Sequence, residues 1–190
     1  MIMLKRRDGG AGGWYVYHAN SNSDPEDKYL QLQLTDAIAD AAFPWNDTAP
    51  TSAVFSVGSD TGVSGSGTTY IAYLFKSVDG YSKFGTYVGN NSATDGTFVY
   101  TGFEPAFLLV KKFSATDSWE VWDNKRSTRN QRDGALKPDD ETTEATGRTL
   151  DFLSNGFKMY NANGTSNEGG TSIVYMAFSS GTGFKYGNAT

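Results

Sequence analysis

The sequence predicts an all-β protein whose antiparallel strands form a two-sheet sandwich. The first reason is composition, because 12 Phe, 11 Tyr, 4 Trp and 22 Gly among 190 residues suit strands joined by tight turns. The second is the density of short apolar or alternating runs bounded by Gly, Asn, Asp or Ser. The third is an internal repeat, which builds the chain from two β units of similar size.

Twelve such runs predict strands. They cover residues 1–6, 14–18, 29–34, 53–57, 69–76, 84–88, 97–101, 106–112, 118–123, 150–154, 157–161 and 172–178. Residues 35–43 are the one helical candidate, because Thr35 can cap a helix that Pro44 would end after one or two turns. Residues 127–148 are polar and charged without a clear period, which predicts a long excursion over the surface.

The repeat relates residues 1–76 to residues 106–179 and leaves residues 77–105 as a connector. Aromatic and β-branched residues carry the match in both halves of each unit. The matched pairs are Trp14 and Trp119, Val16 and Val121, Phe55 and Phe157, and Phe75 and Phe178. We interpret residues 1–190 as a single sandwich domain built from these two units.

The connector contains two predicted strands without a counterpart in the first unit, so that unit begins in the middle of the pattern. A sheet that lacks those strands exposes an edge, which must be paired or covered. Two arrangements remain open at this stage. The connector either serves both units within one sandwich or exchanges strands with a neighbouring subunit, and the exchange favours an oligomer.

Alternate residues of a strand point to opposite faces of a sheet, which divides the matched strands into two faces. We assign one face to the core. Its members are Trp14, Val16, Trp119 and Val121. The opposite face, expected to be exposed or covered by a partner, carries Tyr15, Tyr17, Glu120 and Trp122.

The chain is predicted not to be an enzyme and to have no catalytic residues. It has no Cys and one His, which disfavours thiolate or histidine metal sites and Ser-His-Asp chemistry. Glu120 and Asp123 face opposite ways on one strand, unlike the paired carboxylates of glycosidases. His18 is expected to be a structural or a surface residue, and the net charge of −5 argues against nucleic acid as a partner.

No cofactor is predicted, although calcium stays open as an alternative. Residues 59–62 and 90–96 resemble fragments of oxygen-ligand sites, but turn chemistry alone explains both. The glycine-rich residues 65–69 and 167–172 each enter a strand, so no helix N-terminus is available for a phosphate.

Four aromatic residues are candidate contacts for a glycan or a protein partner: Tyr15, Tyr17, Trp45 and Trp122. Exposed aromatic side chains stack on sugars or fill interfaces, whereas packing within the sheets is their default role. The first residues lack the apolar region and cleavage site of a signal peptide, and no apolar run is long enough to span a membrane. We therefore expect synthesis in the cytoplasm and no membrane insertion.

Several stretches carry a resemblance to a known module. They are GYSKFGTYVGNNSATDGTFVYTGFEPAFLLVKK, SWEVWDNKR, LDFLSNGFKMY, SIVYMAF, WNDTAPTSAVFSVG and TTYIAYLFK. Together they resemble a repeated module of structural proteins in marine tailed bacteriophages, found in tail fibres and related virion surface proteins. The resemblance implies a lectin-like jelly-roll sandwich, similar to concanavalin A, displayed on the virion exterior.

The leading hypothesis is thus a non-enzymatic virion structural protein on the particle exterior, in a tail fibre, a tail appendage or a capsid decoration. We expect it to form a homo-oligomer and to assemble with other virion proteins of the capsid or tail. A lectin-like module that recognises host surface glycan is the alternative. A polysaccharide depolymerase is the third hypothesis and rests on analogy of fold.

Overall fold

The computed structural model describes residues 1–9, 12–160 and 164–181, and the protein is nearly all β, with 38% strand and 4% helix. The strands are β1 (Ile2–Arg6), β2 (Trp14–Tyr17), β3 (Lys28–Gln31), β4 (Ala39–Asp40), β5 (Tyr70–Leu74), β6 (Ser82–Val88), β7 (Thr97–Tyr100), β8 (Pro105–Lys112), β9 (Trp119–Asp123), β10 (Leu150–Leu153), β11 (Gly156–Met159) and β12 (Ser172–Ser179). The helices are a 3-10 turn at Pro25–Asp27 and α1 at Thr61–Ser64.

The strands of the described residues form three sheets in which neighbouring strands run antiparallel. The first sheet has the order β4-β3-β2-β1-β5, the middle sheet β6-β12-β8-β9, and the outer sheet β10-β11-β7. The predicted antiparallel all-β sandwich is confirmed.

The middle sheet is packed on both faces, which adds a third layer to the two that the sequence predicts. One face meets the outer sheet in a cluster that includes Val110 and Phe157, and the other meets the first sheet in a cluster that includes Val16 and Val174. Both central strands, β8 and β12, are therefore buried along most of their length. Their nearly continuous apolar runs, without a polar side, reflect this double burial.

The four predicted core residues all belong to the cluster between the first and middle sheets. Val16 and Trp119 are buried there, and Trp14 and Val121 are partly buried against it. The Trp119 Nε1–H donates to the carbonyl oxygen of Gln31 across the interface, at 2.9 Å. The prediction that these residues share one core is confirmed.

The internal repeat is visible in the strand order of two sheets. The first sheet contains β2-β1-β5 and the middle sheet contains β9-β8-β12 as adjacent strands in the same order. Each triplet comprises the sequence-matched strands of one unit. The second unit adds β6 beside β12, whereas β5 is the last strand of the first sheet.

Both connector strands join the second unit of the same chain. β6 pairs with β12 in the middle sheet, and β7 pairs with β11 in the outer sheet. Neither strand pairs with the first sheet, although Phe84 of β6 packs against Phe75 of the first unit, with ring centroids 6.0 Å apart. Among the described residues, no strand pairs with the second edge of β5, so the first unit has an open edge there.

Two local predictions are wrong. Residues 53–57 form no strand, and residues 35–43 form no helix but contain the short edge strand β4. The backbone there is bound elsewhere, since Ile38 N–H donates to Phe113 O and Thr35 O accepts from the Lys111 ammonium. Residue 161 of a predicted strand and residues 182–190 of the predicted domain lie outside the described residues.

Residues 127–148 do more than cross the surface. Isolated bridges join Leu136 to Val121 and Arg132 to Leu150, so the segment lies along the edges of β9 and β10. Ala135 is fully buried beneath it, in the cluster between the middle and outer sheets. The segment thus protects two sheet edges, which an unpaired polar excursion would not do.

Candidate functional site

The prediction that Tyr17 and Trp122 lie on an exposed face is wrong. Tyr17 is 5% exposed, and Trp45 and Trp122 are 1% exposed. Trp122 lies under the outer sheet, and Tyr17 and Trp45 belong to a third cluster on the far face of the first sheet. Tyr15 is half-buried against the same cluster. The extra layers therefore occupy the faces that two layers alone would have left open.

Internal partners hold these aromatic side chains in place. The rings of Tyr17 and Trp45 meet edge to face, with centroids 5.7 Å apart. Both indole N–H groups donate to main-chain carbonyls, Trp45 to Lys28 at 3.0 Å and Trp122 to Arg148 at 2.9 Å. Tyr15 packs on Tyr29 at 5.5 Å. All four glycan or partner candidates are thus used in packing within the chain.

Glu120 shares the buried face of Trp122 and is fully buried. Its Oε1 lies 3.1 Å from Nε of Arg148, forming an ion pair across the edge of β9. Burial raises the pKa of Glu120 to about 7, and the nearby Arg148 only partly opposes that rise. The carboxyl therefore serves the packing of the second unit, because it opens to no described groove.

The single histidine is also a packing residue. The His18 ring is 3% exposed, and its Nε2 lies 3.2 Å from the carbonyl oxygen of Tyr175. Its Nδ1 accepts from the Asn20 N–H at 3.3 Å, which leaves Nε2 as the protonated donor of the neutral ring. Burial lowers the pKa of His18 to about 4. This fits the expected structural role.

Two adjacent lysines connect segments that are distant in sequence. Lys111 Nζ donates to the carbonyl oxygens of Thr35, at 2.9 Å, and Asp117, and burial lowers its pKa to about 8. On the opposite face, Lys112 Nζ lies 2.8 Å from Asp117 Oδ2 and 2.9 Å from Glu168 Oε2. The two lysines at the C-terminal end of β8 thus bind the surrounding loops of the chain.

The two loops considered for calcium form internal hydrogen bonds. Asp60 Oδ1 accepts from the Gly62 N–H and caps α1. Residues 90–96 close around Asn167, which is fully buried and bonds through its side chain to Asn90 and the carbonyl oxygen of Ser92. Among residues 1–9, 12–160 and 164–181, no group of three or more His, Asp or Glu side chains is arranged to hold a metal. Calcium stays an untested alternative.

Open concave surface occurs instead on the first unit, beside β5. One groove of about 360 Å³, here the α1 groove, lies between Val63, Tyr70 and Ala72. A second of about 570 Å³, here the Pro50 groove, lies between Pro50 and Leu74. Phe55 lines both grooves.

The two grooves and the open edge of β5 form the candidate functional site. Sequence reasoning about chemistry did not identify it, since no catalytic or metal-binding pattern marks these residues. The signal was the repeat, because the missing strands of the first unit predict an unpaired edge. The exposed side chains Val54 and Leu74 line the Pro50 groove.

Comparison with protein families places the whole described chain in one family. A family described as a domain of unknown function, DUF7483, matches residues 1–181. The chain belongs to the DUF7483 family. No curated protein and no solved structure matches it. The DUF7483 match spans both units and the connector, and none of the helices in the described residues is long and apolar enough to cross a membrane.

Proposed function

We propose that this DUF7483 chain is a non-enzymatic structural protein on the exterior of a bacteriophage virion, in a tail fibre, a tail appendage or a capsid decoration. The proposal starts from the resemblance of the repeated strands and connector to the module of phage virion surface proteins. We also propose that the chain forms a homo-oligomer and assembles with other virion proteins.

One structural observation supports this proposal most directly. The ionisable side chains buried between the layers, His18, Lys111 and Glu120, have partners within the chain. Buried polar groups that connect layers are typical of a rigid scaffold. In an active site, by contrast, the titratable groups with shifted pKa values face a cleft.

The glycan-binding alternative receives no support from the four aromatic candidates. A sugar stacks on an exposed ring, but three of these rings are at most 5% exposed and Tyr15 is half-buried. The depolymerase alternative also lacks a paired-carboxylate site among the residues considered for it. Glu120 pairs with Arg148 in the interior, and Asp123 pairs with Arg126 at the surface.

The test is the distribution of the chain in a caesium chloride gradient of a phage lysate that contains it. We expect the chain to band with intact particles, and antibodies raised against it to label the particle exterior in electron micrographs. Purified recombinant chain mixed into an uninfected lysate is the control and stays at the top of the gradient. Recovery only at the top in the phage lysate would contradict the proposal.

A further inference from the structure

We infer that the first unit binds a two-stranded β segment in addition to the chain's own connector, placed along β5 and residues 53–57 as β6 and β7 are placed in the second unit. The occupant has the alternating apolar pattern of residues 82–100. The inference does not depend on the particle that displays the chain, so its test is separate from that of the virion role.

The backbone of β5 presents free pairing positions to this occupant. Met1 and Phe75 exchange both main-chain hydrogen bonds, at 2.9 and 3.1 Å. In an antiparallel pair such bonded positions alternate, so Ile71 and Tyr73 also bond to β1. The N–H and C=O groups of Tyr70, Ala72 and Leu74 therefore point away from the first sheet. No strand in residues 1–9, 12–160 and 164–181 pairs with these groups, so they form an open edge.

The second unit shows what fills this position. The repeat that matches Phe75 with Phe178 also matches Ala72 with Tyr175 and Leu74 with Ala177. Bonds from Gly89 N–H to Thr171 O and from Ser179 N–H to Tyr81 O set the alternation between β6 and β12. In that alternation Tyr175 and Ala177 bond to β6, opposite Gly85 and Lys83. The free groups of β5 are thus equivalent to groups that an antiparallel strand occupies in β12.

A second pairing position lies across the grooves from β5. The repeat matches Phe55 with Phe157 of β11, which pairs with Val99 of β7. Residues 53–57 are equivalent to β11 but belong to no strand. Their failure to form the predicted strand has a physical reason, because the partner equivalent to β7 is missing there.

The two grooves occupy the space that the missing strands would fill. In the second unit, Tyr87 of β6 and Val99 of β7 are buried in the cluster between the middle and outer sheets. In the first unit, the space between β5 and residues 53–57 holds the α1 and Pro50 grooves instead. The occupant would bring apolar side chains equivalent to Tyr87 and Val99 into them.

Charge and edge composition agree with this occupant. Lys76 is the charged residue among those lining the two grooves, whereas residues 77–105 contain three carboxylates and one lysine. The strand YIAYL of β5 has no charged residue and no proline, which are the usual means of blocking an edge. Leu74 at its end is 63% exposed. Such an edge is suited to strand addition.

The occupant is not the connector of this chain, because that connector is already engaged. β6 begins eight residues after the end of β5, and its whole length from Ser82 to Val88 pairs with β12. Moving it to β5 would empty the equivalent site in the second unit, with no gain in pairing. A partner that supplies an additional pair of strands fills the first unit without that loss.

The test uses a synthetic peptide of residues 77–105, labelled at its N-terminus, and the full chain. We expect saturable binding in fluorescence anisotropy, and slower amide exchange at Ala72 and Leu74 in the bound state. A peptide of the same composition in scrambled order is the control and does not bind.

The variant Ala72→Pro tests the edge itself. The Ala72 N–H points away from β1, so proline removes no internal hydrogen bond but blocks the added strand. We expect at least tenfold weaker peptide binding, with the circular dichroism spectrum and melting temperature of the wild type. Ala72→Ser, which keeps the N–H and a small side chain, is the matched control and binds normally.

Three results would overturn the inference. One is absence of peptide binding to the wild-type chain, and another is equal affinity for Ala72→Pro. The third is a dimer of the free chain that dissociates in Ala72→Pro, because a second copy paired through β5 would then be the natural occupant. Sedimentation velocity of both proteins over a range of concentrations detects such a dimer.

Discussion

Glu120 and His18 are buried ionisable residues whose stability contributions depend on pH in opposite directions. Burial raises the pKa of Glu120 to about 7, so the folded state retains its proton where the unfolded state has lost it. Burial lowers the pKa of His18 to about 4, so the unfolded state binds a proton that the folded state does not. Between pH 4.5 and 6.5 the two contributions oppose each other, and single variants are needed to separate them.

The Glu120→Gln variant isolates the first contribution. The contribution of Glu120 to stability is complete below its unfolded pKa and is lost as the pH rises to about 7. Over that range the loss amounts to about 3 kcal/mol. We expect urea unfolding at pH 4.5 and 7.5 to show the variant gaining stability relative to wild type by about this amount. Equal pH dependence of the two proteins would show that the carboxyl is not buried as described.

The His18→Gln variant isolates the second contribution. In the wild type, stability is lost as the pH falls from 6.5 to about 4, since unfolding lets the ring take up a proton. The loss amounts to about 3 kcal/mol, and glutamine lacks it. We subtract the free energy of unfolding of the variant from that of the wild type. We expect this difference to decrease as the pH falls through this range. A constant difference would contradict the buried neutral ring.

At the scale of the element, the buried side chain of Asn167 connects the loop of residues 90–96 to the segment before β12. Asn167 donates to Asn90 Oδ1 at 3.0 Å and to Ser92 O at 3.2 Å, and it accepts from the Asn90 N–H at 3.1 Å. Asn167 itself is fully buried, and removing its side chain breaks all three hydrogen bonds at once.

We therefore expect Asn167→Ala to reduce the free energy of unfolding by about 1 to 3 kcal/mol in urea titrations. Asn20→Ala, at an exposed position, is the control and changes stability by less than about 0.5 kcal/mol. A loss for Asn167→Ala no larger than that of the control would mean that the loop is held by other contacts.

Most elements were predictable from local patterns, and the exceptions have a common cause. The alternation of apolar and polar side chains identified β2 and β9. It also placed Trp14 and Trp119 in one core, because the pattern of a single strand defines its two faces. Whether the second face is exposed depends on other layers, so the burial of Trp122 did not follow from its own strand. Residues 53–57 have a strand pattern but lack a partner, and no local pattern reports a missing partner.

The candidate site followed from the sequence only in outline. The repeat predicted an unpaired edge in the first unit, because the connector strands have no counterpart there. It did not predict the two grooves, whose walls include α1 and Pro50 from a segment without clear periodicity. Such irregular segments are placed by tertiary contacts rather than by local preference.

At the scale of the whole molecule, the cluster between the first and middle sheets joins the two units. Trp119 is buried in this cluster and donates to Gln31 of the first sheet. We therefore expect one cooperative unfolding transition, with equal calorimetric and van't Hoff enthalpies. Two separate transitions in the wild type would contradict a single domain.

The Trp119→Ala variant tests the same cluster between the two sheets. Loss of so large a buried side chain costs about 3 to 5 kcal/mol. Because Trp119 contacts both units, we expect a single transition at lower temperature in scanning calorimetry. Amide signals report the melting temperature of the strands of the first unit. If that temperature is the same in the variant as in the wild type, the two units fold independently.

The central structural claim is that two equivalent strands, β5 and β12, differ in the occupation of one edge. Amide hydrogen exchange followed by nuclear magnetic resonance in dilute solution tests it most directly. We predict slow exchange at Tyr175 and Ala177, which bond to β6, and fast exchange at the equivalent Ala72 and Leu74. Ile71 and Tyr73, which bond to β1, serve as internal controls and exchange slowly. Equal protection of Ala72, Leu74 and their counterparts in β12 would contradict the account, because the edge of the first unit would then already be covered.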